Sequence, residues 1–94
     1  MVTSETLSAI RSALRVSTTL MDNEIEDIAE ACKLDLKYAG VNVIEETDPL
    51  VKRAMIIYAK AQFGLDNDDS DKYQAAYETL KNHLSLCGDY NEIL

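Results

Sequence analysis

Between Asp48-Pro49 and Gly64 runs LVKRAMIIYAKAQF, and this stretch limits the fold more than any other part of the chain. Asp48 suits an N-cap, Pro49 the first helical position, and Gly64 the residue just past a last turn. Between them Leu50, Val51, Ala54, Met55, Ile56, Ile57, Tyr58, Ala59, Ala61 and Phe63 point in nearly every direction around a helix. Only Lys52, Arg53, Lys60 and Gln62 are polar. A helix that is apolar all round must be surrounded. In a chain of 94 residues this predicts a small bundle around one central rod, with a neighbouring subunit covering part of it.

Three further amphipathic patterns supply the surrounding helices. The first is expected over about residues 4–14, capped by Thr3 or Ser4, with Leu7, Ile10 and Leu14 on one stripe. A β-branched, hydroxyl-rich link leads to the second, about 22–39, where Ile25, Ile28, Cys32, Leu36 and Ala39 recur at steps of three and four and Gly40 ends the run. The central helix spans about 49–63. The fourth, about 71–87, carries Tyr73, Tyr77, Leu80, Leu84 and Cys87, with Gly88 as its stop and DYNEIL as a tail. That seam covers two heptads, too few for a coiled coil, and reads as a helix docked on the central rod. VNVIEET, residues 41–47, is too short and uneven to read as a strand. The expected fold is one all-α domain over 1–94, a four-helix bundle with short connecting loops and a short C-terminal tail. One proline and three glycines leave little room for a turn-rich β fold. No run approaches the ~18 apolar residues of a membrane span, and MVTSETLSAI lacks the basic-then-apolar pattern of a signal peptide. A soluble, cytoplasmic chain is expected.

The formal charge is −8, unevenly spread. Residues 22–48 set nine acids against Lys33 and Lys37, whereas the central helix has Lys52, Arg53 and Lys60 and no acid. Tight nucleic-acid binding needs a basic footprint, and none is present. Cys32 and Cys87 read as small apolar residues rather than a disulfide framework.

Several groupings invite a chemical reading and each has a plainer one. Asp66, Asp68 and Ser70 alternate as in a calcium loop, but Asp71 and Tyr77 stand where that loop wants Gly and Glu. A solvated loop leading into a helix start explains the acids. His83 and Cys87 lie four apart, yet His83 is the single histidine and no third orienting group is within sequence reach. The carboxylates Asp22, Glu24, Glu26, Asp27 and Glu30 fit a solvated helix start. No glycine-rich phosphate loop is present. The sequence predicts no enzyme, no cofactor and no metal site.

Leu34, Tyr38 and Leu86 fall off the main stripes of their helices. Together with the central rod they point to self-association. Head-to-tail contact would set Lys52, Arg53 and Lys60 of one copy against an acidic segment of the next, and such contacts close into rings.

The amphipathic opening helix, then DNEIEDIAEACKLDLKYAG, then DPLVKRAMIIYAKAQFG, a polar turn and a last amphipathic helix resemble the head–tail connector (adaptor) proteins of long-tailed phages and prophages. The likeness runs from about Leu7 to Leu86 and rests on structural motifs: the acidic start of helix two with Ile25, Ile28 and Gly40, and Asp48-Pro49-Leu50-Val51-Lys52 leading to Phe63-Gly64. It implies a small helical subunit, repeated as a ring beneath the portal and typically dodecameric, that joins head to tail and serves DNA packaging. Implied partners are the chain itself, the portal protein and a downstream tail-completion or stopper protein, with duplex DNA passing through unbound and no membrane involved. The implied location is the virion head–tail junction, or the host cytoplasm during assembly. Tyr90, Ile93 and Leu94 are candidate partner contacts, reaching the portal as an added strand or hook; a frayed terminus is the plain alternative. Val41, Val43 and Ile44 form a second candidate contact. Two other readings stand beside this one: a monomeric or dimeric helical regulator that binds through the fourth-helix seam, and a small hydrolase or metal enzyme.

Overall fold

Local capping chemistry sets the starts of the first and third helices and the end of the second. In the computed structural model, which describes residues 2–63 and 69–91, the chain forms α1 (Ser4–Ala13), α2 (Asp22–Tyr38), α3 (Pro49–Phe63), α4 (Ser70–Leu86) and a single turn, α5 (Gly88–Asn91). No strand occurs among the described residues. Thr3 caps α1, its hydroxyl accepting from the Thr6 N–H at 3.2 Å. Asp48 caps α3, its Oδ1 accepting from the N–H groups of Leu50 at 2.8 Å and Val51 at 3.3 Å. The α2 turn ends on Gly40 at φ 99°, followed at once by Val41 in the core. Gly64, Asp66 and Asp68 lie outside the described residues, and so does most of the calcium-like loop.

Side-chain bonds between helices give the topology. Arg11 near the end of α1 holds Asp22 at the start of α2, so these helices are antiparallel. Lys33 of α2 holds Glu46, just before α3, and Glu46 also accepts from the Thr3 N–H at the start of α1. Tyr58 of α3 packs edge-on against Tyr77 of α4, and Lys60 lies over the Tyr73 ring. Rising positions on α3 thus meet falling positions on α4. The result is an up-down-up-down four-helix bundle measuring 40 × 28 × 18 Å.

α3 is the central rod, packed against α1, α2 and α4. Val51, Ala54, Met55 and Ala59 are fully buried, and Ile56, Ile57, Tyr58 and Phe63 pack around them half-buried. One copy shields most of this helix by itself. What is left for a neighbour is small, chiefly Leu50 and Arg53 in the first turns. The inward stripes of the other helices match the sequence pattern at Ile10, Ile25, Cys32, Leu36, Tyr77 and Leu84. The buried Thr6 and Ala29 broaden those stripes.

Two expectations at the end of α4 need correction. Gly88 is not the helix stop: Cys87 breaks the helix by turning extended (φ −86°, ψ 125°), and Gly88 opens α5. Residues Gly88–Asn91 therefore form a docked turn rather than part of a free tail. The Tyr90 N–H returns to the Cys87 carbonyl at 3.0 Å.

Candidate functional site

With no metal-holding group of side chains among the described residues, the informative residues are those the core does not consume. Five sequence-selected positions gather near one end of the bundle. Tyr38 ends α2, Lys52 and Arg53 lie early in α3, Leu86 ends α4, and Val43 sits in the loop between α2 and α3. Tyr38 and Leu86 are each 83% exposed, and Leu50 and Val43 add apolar surface there. Leu34, 52% exposed, lies one turn before Tyr38 on the same outer face of α2. Lys60 does not join them. It sits seven residues beyond Arg53, roughly 10 Å along the helix, and its ammonium lies 5.4 Å from the centroid of the Tyr73 ring in its own subunit.

The partner-contact candidates divide. Val41 is fully buried, and Ile44 packs half-buried on the core, so the Val41 side chain is not on the surface. The physical reason is the end of α2: the Val41 N–H bonds the Leu36 carbonyl at 3.0 Å and aims Val41 at the fully buried Leu36. Tyr90 is clamped rather than free. Its carbonyl accepts from the N–H groups of Asn42 at 2.7 Å and Val43 at 3.0 Å, and its hydroxyl donates to Asp48 at 2.9 Å. Asn42 Nδ2 also donates to the Asn91 carbonyl at 3.0 Å. Ile93 and Leu94 lie outside the described residues.

Sequence reasoning missed the network that joins α2 to α4. The Cys32 thiol faces the Tyr77 hydroxyl at 3.8 Å, and that hydroxyl donates to Asp35 Oδ2 at 2.6 Å. Lys81 donates to the same oxygen at 3.1 Å and pairs with Glu78. Burial pushes the Cys32 thiol up to about 12, far from the thiolate range a nucleophile needs. Burial and the bond to Asp35 push Tyr77 strongly upward, so it remains a donor. Burial alone would raise Asp35, but the bonds from Tyr77 and Lys81 outweigh it and hold its carboxyl below the usual range. The signal was present in part, since Tyr77 lies on the apolar seam while carrying a hydroxyl that needs a partner once buried. The seam itself faces inward, with Tyr77 and Leu84 fully buried, so it is not available to bind another protein.

His83 is exposed and Cys87 half-buried, and no third titratable side chain among the described residues joins them in a group that could hold a metal ion. Among the described residues no three His, Cys, Asp or Glu side chains are grouped to hold a metal ion. No described helix is long and apolar enough to cross a membrane.

This surface, on an all-helical bundle with a central apolar rod, is what a building block presents. Comparison with known families decides which kind: the family model described as phage connector protein matches residues 6–91. The chain belongs to the phage connector family. A search of curated proteins and a search of solved structures each returned no match. The connector family is structural rather than enzymatic, and its membership gives this chain a structural connector role in the phage particle, in association with other phage head or tail proteins.

Proposed function

We propose that this connector assembles as a ring, dodecameric in the virion, beneath the portal and joins head to tail, its channel continuing the path of the packaged DNA. The observation that carries the reading is the residual surface. A bundle that buries its own core still exposes Leu34, Tyr38, Leu50 and Leu86, and keeps Lys52 and Arg53 beside that end. Scattered exposed apolar groups are ordinary; here several share one helix face or one end.

In this reading the end bearing Val43 and α5 meets the portal, while Tyr38 and Leu86 face a neighbouring copy. The opposite end, with Leu20 86% exposed in the link between α1 and α2, meets a stopper or tail-completion protein. DNA passes without specific contact. The net charge of −8 leaves no basic footprint to hold phosphates. Acids facing the channel would repel DNA only within about the ~8 Å Debye length, enough to prevent sticking during passage without blocking it. The protein performs no catalysis in this reading, and its site of action is the head–tail junction.

Light scattering over a concentration series, alone and with the portal protein encoded in the same genome, tests the proposal, together with negative-stain images of the mixture. Rings stacked on portal particles are the expected result. A species that stays monomer or dimer even with portal present would overturn it.

A further inference from the structure

We infer that neighbouring copies join by seating the outer face of α2 on the outer face of α4, with the two helices parallel and level. The inference rests on the ring reading above and specifies its lateral contact. Its occupant is a second copy of this chain, for three reasons.

The first is the α2 surface. Asp27, Ala31, Leu34 and Tyr38 are all exposed and recur at steps of four, three and four on the side turned away from the buried Ile25, Ala29, Cys32 and Leu36. This is a second, outward stripe, acidic at its start and apolar at its end.

The second is the α4 surface. From Ala75 to Leu86 its exposed positions are Ala75, Ala76, Thr79, Asn82, His83 and Leu86, none carrying a formal charge with histidine neutral, and the half-exposed Glu78 at its border is paired with Lys81. In a chain of charge −8 such a strip is notable. Leucine and tyrosine can be laid on it without stripping water from an ion. Lys72 stands exposed at the head of the strip, next to the exposed Asp71 and 3.5 Å from the Asp69 carboxylate of its own subunit.

The third is register. Within one subunit Cys32 meets Tyr77 and Asp35 meets Lys81, at offsets of 45 and 46. The tip of the long Tyr77 side chain also reaches Asp35, at an offset of 42. A position on α2 thus lies level with one 42 to 46 residues later on α4. α3 packs against both helices, so their outer faces look to different flanks. A rotation about an axis along the helices brings α2 of one copy beside α4 of the next without changing level. Asp27 then stands level with Lys72, Ala31 with Ala76, Leu34 with Thr79, and Tyr38 with His83, one turn before Leu86. Opposite charges meet at one end of the contact and apolar groups at the other. The register that serves the inside of the subunit also makes its two outer faces complementary.

Disulfide trapping tests this pairing, and it works on transient contacts. In a Cys87→Ser background, with Cys32 buried and silent, Leu34→Cys and Thr79→Cys are made singly and together. Both positions are exposed, so the fold is retained. A disulfide forms only when the two Cα atoms come within roughly 7 Å. Mixing the two single variants under oxidation should shift the non-reducing band from 10.5 kDa to twice that mass, while neither variant alone shifts. The double variant should give a ladder of higher species, because each copy carries both halves of the contact. A mixture of Asp27→Cys and Leu86→Cys, which sit at opposite ends of the contact, should stay unlinked. Linking of Leu34→Cys to itself, linking of the mismatched mixture, or a double variant that stays monomeric overturns the pairing. Rings seen with portal despite such a result leave the ring reading standing and remove only this contact; no rings and no ladder remove both.

Discussion

Helices α1 and α2 end on the same hydrogen-bond pattern, one at Arg15 and the other at Gly40. At Arg15 its own N–H bonds the Ser12 carbonyl at 3.1 Å, and the next N–H, of Val16, bonds the Arg11 carbonyl at 3.1 Å. At Gly40 the corresponding bonds run to Lys37 at 3.1 Å and, from Val41, to Leu36 at 3.0 Å. Both residues have positive φ, 60° for Arg15 and 99° for Gly40. What differs is the chain that follows. After Gly40, Val41 enters the core, and the loop goes on to bond Tyr90, Thr3 and Lys33. After Arg15, Val16 is half-buried and residues 17–21 are exposed. A left-handed arginine costs about 1–2 kcal/mol. It is tolerated where little downstream has to be aligned, and glycine stands where the next residue must reach a fixed place.

The firm end is the one to break first. Leu36→Ala removes a fully buried side chain from the closure of the α2 turn and should cost about 3 kcal/mol, read as a lower midpoint in urea unfolding. A loss below about 1 kcal/mol would mean that the site collapses readily and that this end is no firmer than the other.

Glu46→Gln should come next, at about 2 kcal/mol, since it breaks a charged hydrogen bond on a side chain only 11% exposed. Burial alone would raise the Glu46 carboxyl. The bonds from the Thr3 N–H, Thr6 and Lys33 outweigh burial and hold it at about 2, below its ordinary 4.5. A carboxylate depressed on folding stabilises above its unfolded value and loses that contribution as pH falls through the folded one. The stability difference between parent and Glu46→Gln should therefore be full above pH 4.5 and close toward pH 2. A difference independent of pH would refute the assignment.

The two caps themselves give a smaller pair of effects with opposite signs. Arg15→Gly should stabilise by about 1 kcal/mol, by removing the left-handed penalty less glycine's extra unfolded-state entropy. Gly40→Ala should destabilise by about 1 kcal/mol, the left-handed penalty less the unfolded-state entropy that alanine saves. No atom lies within 4 Å of where its Cβ would sit, so no clash adds to that cost. Equal effects of the same sign would dissolve the contrast between the two ends.

The firm framework is also the part that could be read from the sequence. Helical periodicity located α1 to α4, because stripes such as Ile25, Cys32 and Leu36 record burial directly. The caps at Thr3, Asp48 and Gly40 are local chemistry and read equally well. Three-dimensional partners were hidden. Nothing in residues 41–44 says that Val41 turns inward while Asn42 and Val43 offer their N–H groups to Tyr90. Nor does the seam reveal that the Tyr77 hydroxyl finds Asp35, 42 residues earlier in the chain. The exposed faces were legible only by subtraction, as Leu34, Tyr38 and Leu86 left off every inward stripe.

Tyr90→Phe probes the mildest element of the firm end and so bounds how far that firmness extends. The hydroxyl makes two contacts to Asp48, at 2.9 and 3.1 Å, while the Tyr90 carbonyl independently accepts from Asn42 and Val43. Removing the hydroxyl leaves the backbone bonds in place but frees one side of α5. The global unfolding midpoint should hardly move, since α5 contributes no fully buried residue. Local opening should become more frequent, and the Asn42 and Val43 amides should exchange hydrogen severalfold faster, with those of α3 unchanged. Unchanged exchange at both amides would show that the backbone bonds and the Asn42–Asn91 contact hold the turn by themselves. The firm end would then owe its order at α5 to main-chain pairing, and Asp48 would serve α3 as a cap alone.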